Sequence, residues 1–270
     1  MKINGIIIDR VLLGLAESPT TGELLYTLTQ LQDSTIDTTA DKKEKQDSNG
    51  NLIKAFYQSK AASFTANNAL LDLSVHASQA GTDKIIASDD NVVPMPKIMF
   101  VNKTTDTIEL ADLIDGTLQI RAVDGTGTID DSKTYKPKAG TTASETEYGY
   151  TAPSDGATAK IVLPTDANVS RFIIKYERNV KKGVKVVNRA DKYPKTIKFT
   201  LKVLGVDPCE KDVLKAYYIV FPSFQVSPET STQLTTDATF EFKGDAEMDY
   251  CSVDKQLYYI CAAEDDEENE

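Results

Sequence analysis

Residues 196–206 place Ile197, Phe199, Leu201 and Val203 at every second position. A period of two puts these side chains on one face of an extended strand, whereas a helix would scatter them around its axis. Asp207-Pro208-Cys209-Glu210-Lys211-Asp212 follows as a turn. Residues 214–226 then form a second, more apolar run, in which Pro222 implies an edge strand or a bulge. Strand signals at 232–243 and 256–262 complete the set. The expected fold class is all-β, β-rich with one flanking helix: an antiparallel β-sandwich or barrel carrying an inserted small β module.

The N-terminal third extends this reading. Residues 5–15 are apolar but interrupted by Asp9 and Arg10, and periodicity does not decide between a strand and a short helix. Ser18-Pro19-Thr20-Thr21-Gly22 is a turn. Residues 24–40 read as two strands broken near Asp33-Ser34. The polar stretch Asp41-Lys42-Lys43-Glu44-Lys45-Gln46-Asp47-Ser48-Asn49-Gly50-Asn51 contains Asn-Gly, which readily adopts the positive φ angles of a tight hairpin turn. With strand-like sequence on both sides, it is either a solvated loop or an arm that reaches a neighbouring subunit. Residues 55–65 continue as a strand. A helix is expected over 69–77, with Asn67 as N-cap, Gly81 as C′ residue, and Leu70, Leu73 and Ala77 on a face packed against a sheet, Leu71 and Val75 beside them.

Pro94 and Pro96 suggest a boundary. From 98 to 180 short strands (98–101, 117–123, 160–163, 172–178) alternate with Gly, Thr and Asp turns, and 124–153 is turn-rich and poor in large aliphatics. The expected organisation is a discontinuous β-sandwich or barrel domain of residues 1–97 and 181–262, an inserted β module of 98–180, and an acidic tail of 263–270.

Composition narrows the function classes. With 270 residues, 40% hydrophobic and 26% charged, the chain can bury a sizeable core. It holds no run near the ~20 apolar residues of a membrane helix, and its first residues lack a signal-peptide pattern, so use in a cytoplasm is expected. Cys209, Cys251 and Cys261 show no CxxC spacing and read as free, mostly buried thiols, with a Cys251–Cys261 disulfide as the other option. Net charge is −11, and six of the negative charges lie in Glu264-Asp265-Asp266-Glu267-Glu268-Asn269-Glu270. The remaining −5 leaves even the body acidic, which argues against a dedicated nucleic-acid binder, because that role needs a basic face. The tail reads as a solvated terminus aiding solubility or as a lining of an assembly.

Catalytic patterns do not emerge. The one histidine, His76, falls in the expected helix and reads as packed or solvated; a zinc site or a Ser-His-Asp triad would need partners that the spacing does not supply. Gly125-Thr126-Gly127 lacks the following helix and Lys-Ser/Thr of a phosphate loop and reads as a turn. The Asp-rich stretches around Asp112 and Asp115 and at Asp130-Asp131 lack EF-hand spacing and read as surface loops. A paired-carboxylate hydrolase stays open on carboxylate count alone, but the chain has no Trp to stack a sugar. No catalytic, cofactor-binding or metal-binding residue is assigned, no cofactor is expected, and the chain reads as no enzyme.

Two blocks of sequence resemble the tail tube (major tail) proteins of tailed bacteriophages. The first runs from Leu24-Leu25-Tyr26-Thr27-Leu28 through Asp37-Thr38-Thr39-Ala40-Asp41, the charged hairpin around Asn49-Gly50, Phe56-Tyr57 and Ala69-Leu70-Leu71. The second runs from Tyr193-Pro194-Lys195-Thr196 through Asp207-Pro208-Cys209, the segment Ala216-Tyr217-Tyr218-Ile219-Val220-Phe221-Pro222-Ser223-Phe224, and Leu234-Thr235-Thr236-Asp237 to Asp249-Tyr250-Cys251. Together they cover about half of the chain and leave 98–180 outside.

The resemblance implies a structural virion protein. Its copies would form rings, usually hexameric, that stack into a hollow tube whose inner wall is one continuous β-barrel and whose lumen passes DNA without specific binding. Its partners would be itself and other tail proteins, with no membrane, and its place the virion tail, assembled in the host cytoplasm. The 41–51 hairpin would contact the adjacent ring. Such a design agrees with elementary physics: ring closure pairs exposed strand edges, and an acidic lumen repels phosphates. The rival readings are another virion component, a capsid or decoration protein, and a carbohydrate-binding or hydrolytic β protein.

Overall fold

The alternation at 196–206 becomes a strand at the centre of an eight-stranded sheet. The computed structural model describes residues 5–153, 158–208, 210–248, 250 and 253–267. In chain order the elements begin with β1 (Ile7–Glu17), β2 (Leu24–Leu28), β3 (Leu31–Gln46), β4 (Leu52–Asn68) and the helix α1 (Leu73–Gln79). There follow β5 (Ile85–Ala87), β6 (Val93–Asn102), β7 (Thr107–Leu110), β8 (Gln119–Val123) and β9 (Ile129–Thr134). Next come β10 (Lys136–Ala139), β11 (Glu147–Thr151), β12 (Ala159–Val162), β13 (Arg171–Val180) and β14 (Gly183–Lys185). The chain ends with β15 (Thr196–Asp207), β16 (Glu210–Val226), β17 (Phe240–Ala246) and β18 (Tyr259–Glu267). The fold is all-β, with one short helix among the described residues. It divides into one unit of residues 1–84 and 186–270 and a second unit of residues 85–185.

In the first unit the strands run β2-β1-β15-β16-β17-β4-β3, with β18 also paired to β16. All these pairs are antiparallel. The core is aromatic. Phe64, Phe199, Phe221, Phe224 and Phe242 are almost fully buried, and every pair among them except Phe221 with Phe242 is 5.2–6.5 Å apart, centroid to centroid. Phe221 and Phe224 are three positions apart, so strict alternation would send them to opposite faces. A register shift resolves the conflict: Ile197 pairs with Phe224 but Phe199 pairs with Phe221, which gives β16 one extra residue at Pro222-Ser223. Pro222 therefore marks a bulge. β16 also changes its outer partner there, from β18 up to Val220 to β17 from Phe224 onward.

Several sequence expectations change. The apolar N-terminal stretch is a strand, β1. The break expected near Asp33-Ser34 falls instead at Thr29-Gln30; Asp33, with φ 49°, marks a bulge inside β3. The helix starts at Leu73, not at 69, because Asn67 and Asn68 are held in the ladder between β17 and β3. Asp72 takes over as N-cap, accepting from the amides of Ser74 (2.6 Å) and Val75 (3.1 Å). Gly81 closes the helix as expected, at φ 65°: the amides of Gly81 and Thr82 donate to the carbonyls of Ser78 and Ala77, a Schellman arrangement. The buried positions are Val75, Ala77 and Gln79, while Leu70, Leu71 and Leu73 are exposed. The strand expected at 232–243 begins only at Phe240. Residues 264–267 of the acidic tail continue the backbone of β18. Cys261 is a free, exposed thiol, not a buried one, while Cys209 and Cys251 lie outside the described residues.

The second unit packs two four-stranded sheets, β10-β11-β12-β7 and β6-β13-β8-β9, around a shared core. Alternation on β13 sends Phe172, Ile174 and Tyr176 inward. Pro94 and Pro96 lie within β6, an edge strand, where missing N–H donors are tolerated. The turn-rich span 124–153 holds three strands, and one pair, β10 with β11, is parallel. β5 and β14 pair with each other, joining the two segments through which the chain passes into and out of this unit. Asp166, buried, accepts hydrogen bonds from Lys133 and from the Tyr135 hydroxyl (3.3 Å), and the Lys133 bond holds its carboxyl below the usual carboxylate range.

Phe199→Ala is expected to destabilise the first unit by about 3–5 kcal/mol, read from urea unfolding, because the rings around it cannot close the cavity. Asp166→Asn is expected to destabilise the second unit at pH 6. Since the folded-state pKa is lowered, that contribution is full above about pH 4. It fades as the pH falls through the folded value, so the gap between variant and wild type narrows on acidification.

Candidate functional site

β3 and β4 are the longest hairpin of the fold and serve two purposes along their length. The inner part of β4, residues 62–68, pairs with β17 on one edge and β3 on the other. Beyond it β4 pairs with β3 alone, so residues 39–60 form a two-stranded ribbon extending past the sheet. At ~3.3 Å per residue the ribbon reaches about 25 Å. A bulge marks its foot: Thr39 pairs with Ala61 and Asp41 with Gln58, and Ser59 sits at φ 52°. Such bulges sharpen local twist and redirect a strand.

The tip is built by one carboxylate. Asp47 Oδ1 accepts from the amides of Asn49 (2.9 Å) and Asn51 (2.8 Å), and Oδ2 from the Asn51 side chain (3.0 Å). The Gly50 amide donates to the Asp47 carbonyl, and Gly50 alone of the turn has positive φ, 82°. Asp at the first position and Gly at the fourth suit a type I turn. The tight two-residue turn suggested by Asn-Gly would need positive φ at Asn49 as well. These bonds hold the Asp47 carboxyl below its usual range, with the Asn51 side chain as the largest cause.

Every residue from 37 to 61 is exposed except Ala55, which is half-buried. Cross-strand pairing sorts the ribbon into two faces. One carries Asp41, Lys43, Lys45, Lys54 and Phe56, with the Lys54 ammonium 5.5 Å from the centre of the Phe56 ring. The other carries Lys42, Glu44, Ala55 and Tyr57, with Lys42 paired to Glu44. Five lysines against three carboxylates give residues 39–60 a net charge of +2 on a chain of −11. Leu52, Ile53, Phe56 (54%) and Tyr57 (70%) are exposed apolar side chains on this ribbon. At its foot an open cleft of about 700 Å³ is lined by Ser59, Lys60, Met248, Leu257, Tyr259 and Ile260.

Thus the structure brings all eleven residues of 41–51 together on one projecting element: 41–46 in strand β3 and 47–51 in the turn. Sequence reading placed these residues but missed the exposed apolar side chains on the opposite strand. The signal was there: Phe56 and Tyr57 are adjacent, and neighbours on a strand cannot both face one core. His76 is half-buried in α1. Among the described residues no group of three His, Cys, Asp or Glu side chains is placed to hold a metal ion. The Gly125-Thr126-Gly127 string is the β8–β9 turn, organised by Asp124 Oδ1, which accepts from the amides of Thr126 and Thr128 at 2.9 Å. No helix among the described residues is long and apolar enough to cross a membrane.

The molecule is an all-β chain with a large antiparallel sheet and a projecting two-stranded ribbon that exposes apolar side chains, features suited to strand association. More specifically, the chain belongs to the YomU/Tube protein family, whose model matches residues 7–260. This is a family of phage tail tube structural proteins. Membership implies a component of the virion tail that assembles with itself and with other tail proteins. The comparison with curated proteins returns no match.

Asp47→Ala is expected to speed hydrogen exchange at the Asn49 and Asn51 amides about tenfold or more, while global stability is little changed. Exchange read by NMR at each amide checks this.

Proposed function

We propose that the protein self-assembles into hexameric rings that stack into a hollow tail tube, built in the host cytoplasm, through which phage DNA passes without specific binding. The observation that carries this reading is the ribbon of residues 39–60. An isolated two-stranded ribbon is marginal in water, and one that exposes Leu52, Ile53, Phe56 and Tyr57 gains from being covered. Within the tube, residues 41–51 contact the adjacent ring, and the net positive ribbon meets the acidic body of the next subunit.

Ring closure follows from the sheet edges. β2 and β3 end the strand order of the first unit, so each offers backbone donors and acceptors to a neighbour. Two different edges meeting head to tail make a heterologous interface, which closes into a ring at the right rotation. Some of the body carboxylates face the lumen and repel the phosphates of passing DNA. The first unit forms the tube and the inserted unit decorates it. The role of the chain is structural, not enzymatic.

Negative-stain electron microscopy across a concentration series tests the reading: hollow tubes with a regular ring repeat are the expected result. Deleting residues 41–51 is expected to leave a folded β protein by circular dichroism that no longer polymerises. The double variant Phe56→Ser, Tyr57→Ser should weaken tube formation in the same direction without shortening the chain. Normal tubes from both variants would remove the ribbon from the inter-ring contact, and a basic lumen in a tube reconstruction would remove the lumen-charge argument.

A further inference from the structure

Strand association leaves one feature of the inserted unit unused. A cleft of about 410 Å³ opens where β8 and the end of β9 face β10 and β11, a size typical of small-molecule sites. Tyr135, Tyr148 and Tyr150 supply ring surface to its wall, and Asp115, Gln119 and Arg121 supply polar groups. Tyr135 and Tyr148 are buried, Tyr150 and Arg121 are half-buried, and Asp115 and Gln119 are exposed. The cleft thus grades from an aromatic floor to a polar mouth.

Asp115 and Arg121 are pinned yet keep open valences. Tyr150 donates its hydroxyl proton to Asp115 Oδ1 at 2.6 Å, and the Gly116 amide donates to the same oxygen at 3.0 Å. Both bonds use Oδ1, which leaves Oδ2 to accept from an incoming donor. Arg121 Nη1 donates to Thr134 Oγ1 (2.8 Å) and to the Lys133 carbonyl (3.3 Å). These bonds hold Nη1 and leave the Nη2 donors of the guanidinium for other acceptors. Burial alone raises the Tyr148 hydroxyl above its ordinary pKa, with no hydrogen bond from a described residue contributing. Positioned groups of this kind lower the ordering cost of binding.

We propose that this cleft binds a neutral pyranose, either a free sugar or a residue of a polysaccharide chain. The polarised C–H face of a pyranose matches the negative face of a tyrosine ring. Its neighbouring hydroxyls can donate to Asp115 and accept from Arg121 and Gln119. One carboxylate and one guanidinium give the lining no net charge, which favours a neutral ligand over an anionic one. A nucleic acid is disfavoured by the −11 charge of the chain. The chain lacks Trp, so tyrosine is the stacking surface and single-sugar affinity is expected to be in the millimolar range, ~4 kcal/mol.

The test uses the full chain. Ligand-observed NMR and tyrosine emission, free of Trp background, are followed during titration with methyl glycosides of glucose, galactose, mannose, N-acetylglucosamine and rhamnose. Maltohexaose and chitohexaose form a second arm, and a thymidine oligonucleotide a third. Saturable binding of at least one saccharide is expected, weakened about tenfold or more by Arg121→Ala and by Tyr150→Phe, which keeps the ring but frees Asp115. Gln119→Ala, at an exposed position, covers the case in which either of those variants misfolds. Binding of the methyl glycosides assigns a free sugar or chain end; binding of the hexasaccharides alone assigns an internal residue of a polysaccharide. Silence across both saccharide arms, saccharide binding that none of the three variants changes, or binding of the oligonucleotide alone overturns the proposal.

Discussion

Phe199 and Phe224 stack with ring centroids 5.4 Å apart, and Phe64, Phe221 and Phe242 close around them. The five rings come from β4, β15, β16 and β17, adjacent members of one sheet. Rings from neighbouring strands meet in one cluster only if each strand turns the same face inward. β16 must contribute two rings three residues apart, and the bulge at Pro222-Ser223 makes that possible. The same bulge hands β16 from β18 to β17. Ring packing, the register of β15 against β16 and the change of partner along β16 therefore meet at one irregularity. Close packing transmits such a choice across a core, since few voids exist to absorb a shift.

The projecting ribbon depends on that cluster through β4. Phe64 anchors the inner half of the strand among the other rings, while Phe56 and Tyr57 on the outer half stay in solvent. Between them Ser59 adopts a left-handed conformation that side chains other than glycine adopt at a cost of about 1–3 kcal/mol. The anchored half holds the register of the free half, so an element too thin to be stable alone is presented in a defined shape. A preordered surface of this kind spends less free energy on ordering when it binds.

The inserted unit solves its packing differently. Two sheets face each other, and alternation on β13 fills the space with Phe172, Ile174 and Tyr176. Toward the edge formed by β8–β11 the filling side chains are tyrosines, which carry a hydroxyl to the rim of the core. Tyr135 passes its hydroxyl to Asp166 and Tyr150 to Asp115. That edge is both core and surface, and the cleft lies there.

Period-two alternation by itself determined that this chain is all-β, because burying one face of a strand leaves a local trace at every second residue. Turn chemistry likewise determined the stop of α1 at Gly81 and the turn at Asn49-Gly50, where one backbone conformation suits few side chains. The start of α1 was decided by tertiary structure. Asn67 offered a good cap, but ladder bonds from β3 and β17 claimed it, and no local signal reports a partner more than 160 residues away. The strands within 124–153 were hidden for the same reason: their hydrogen bonds are nonlocal and their side chains largely polar. Of the site, the sequence determined the charged hairpin, while only the tertiary structure decided that β4 leaves the sheet at Ser59 and exposes Phe56 and Tyr57. Whether an apolar strand is covered depends on which strand lies beside it, and β17 stops at Ala246, opposite Ala62.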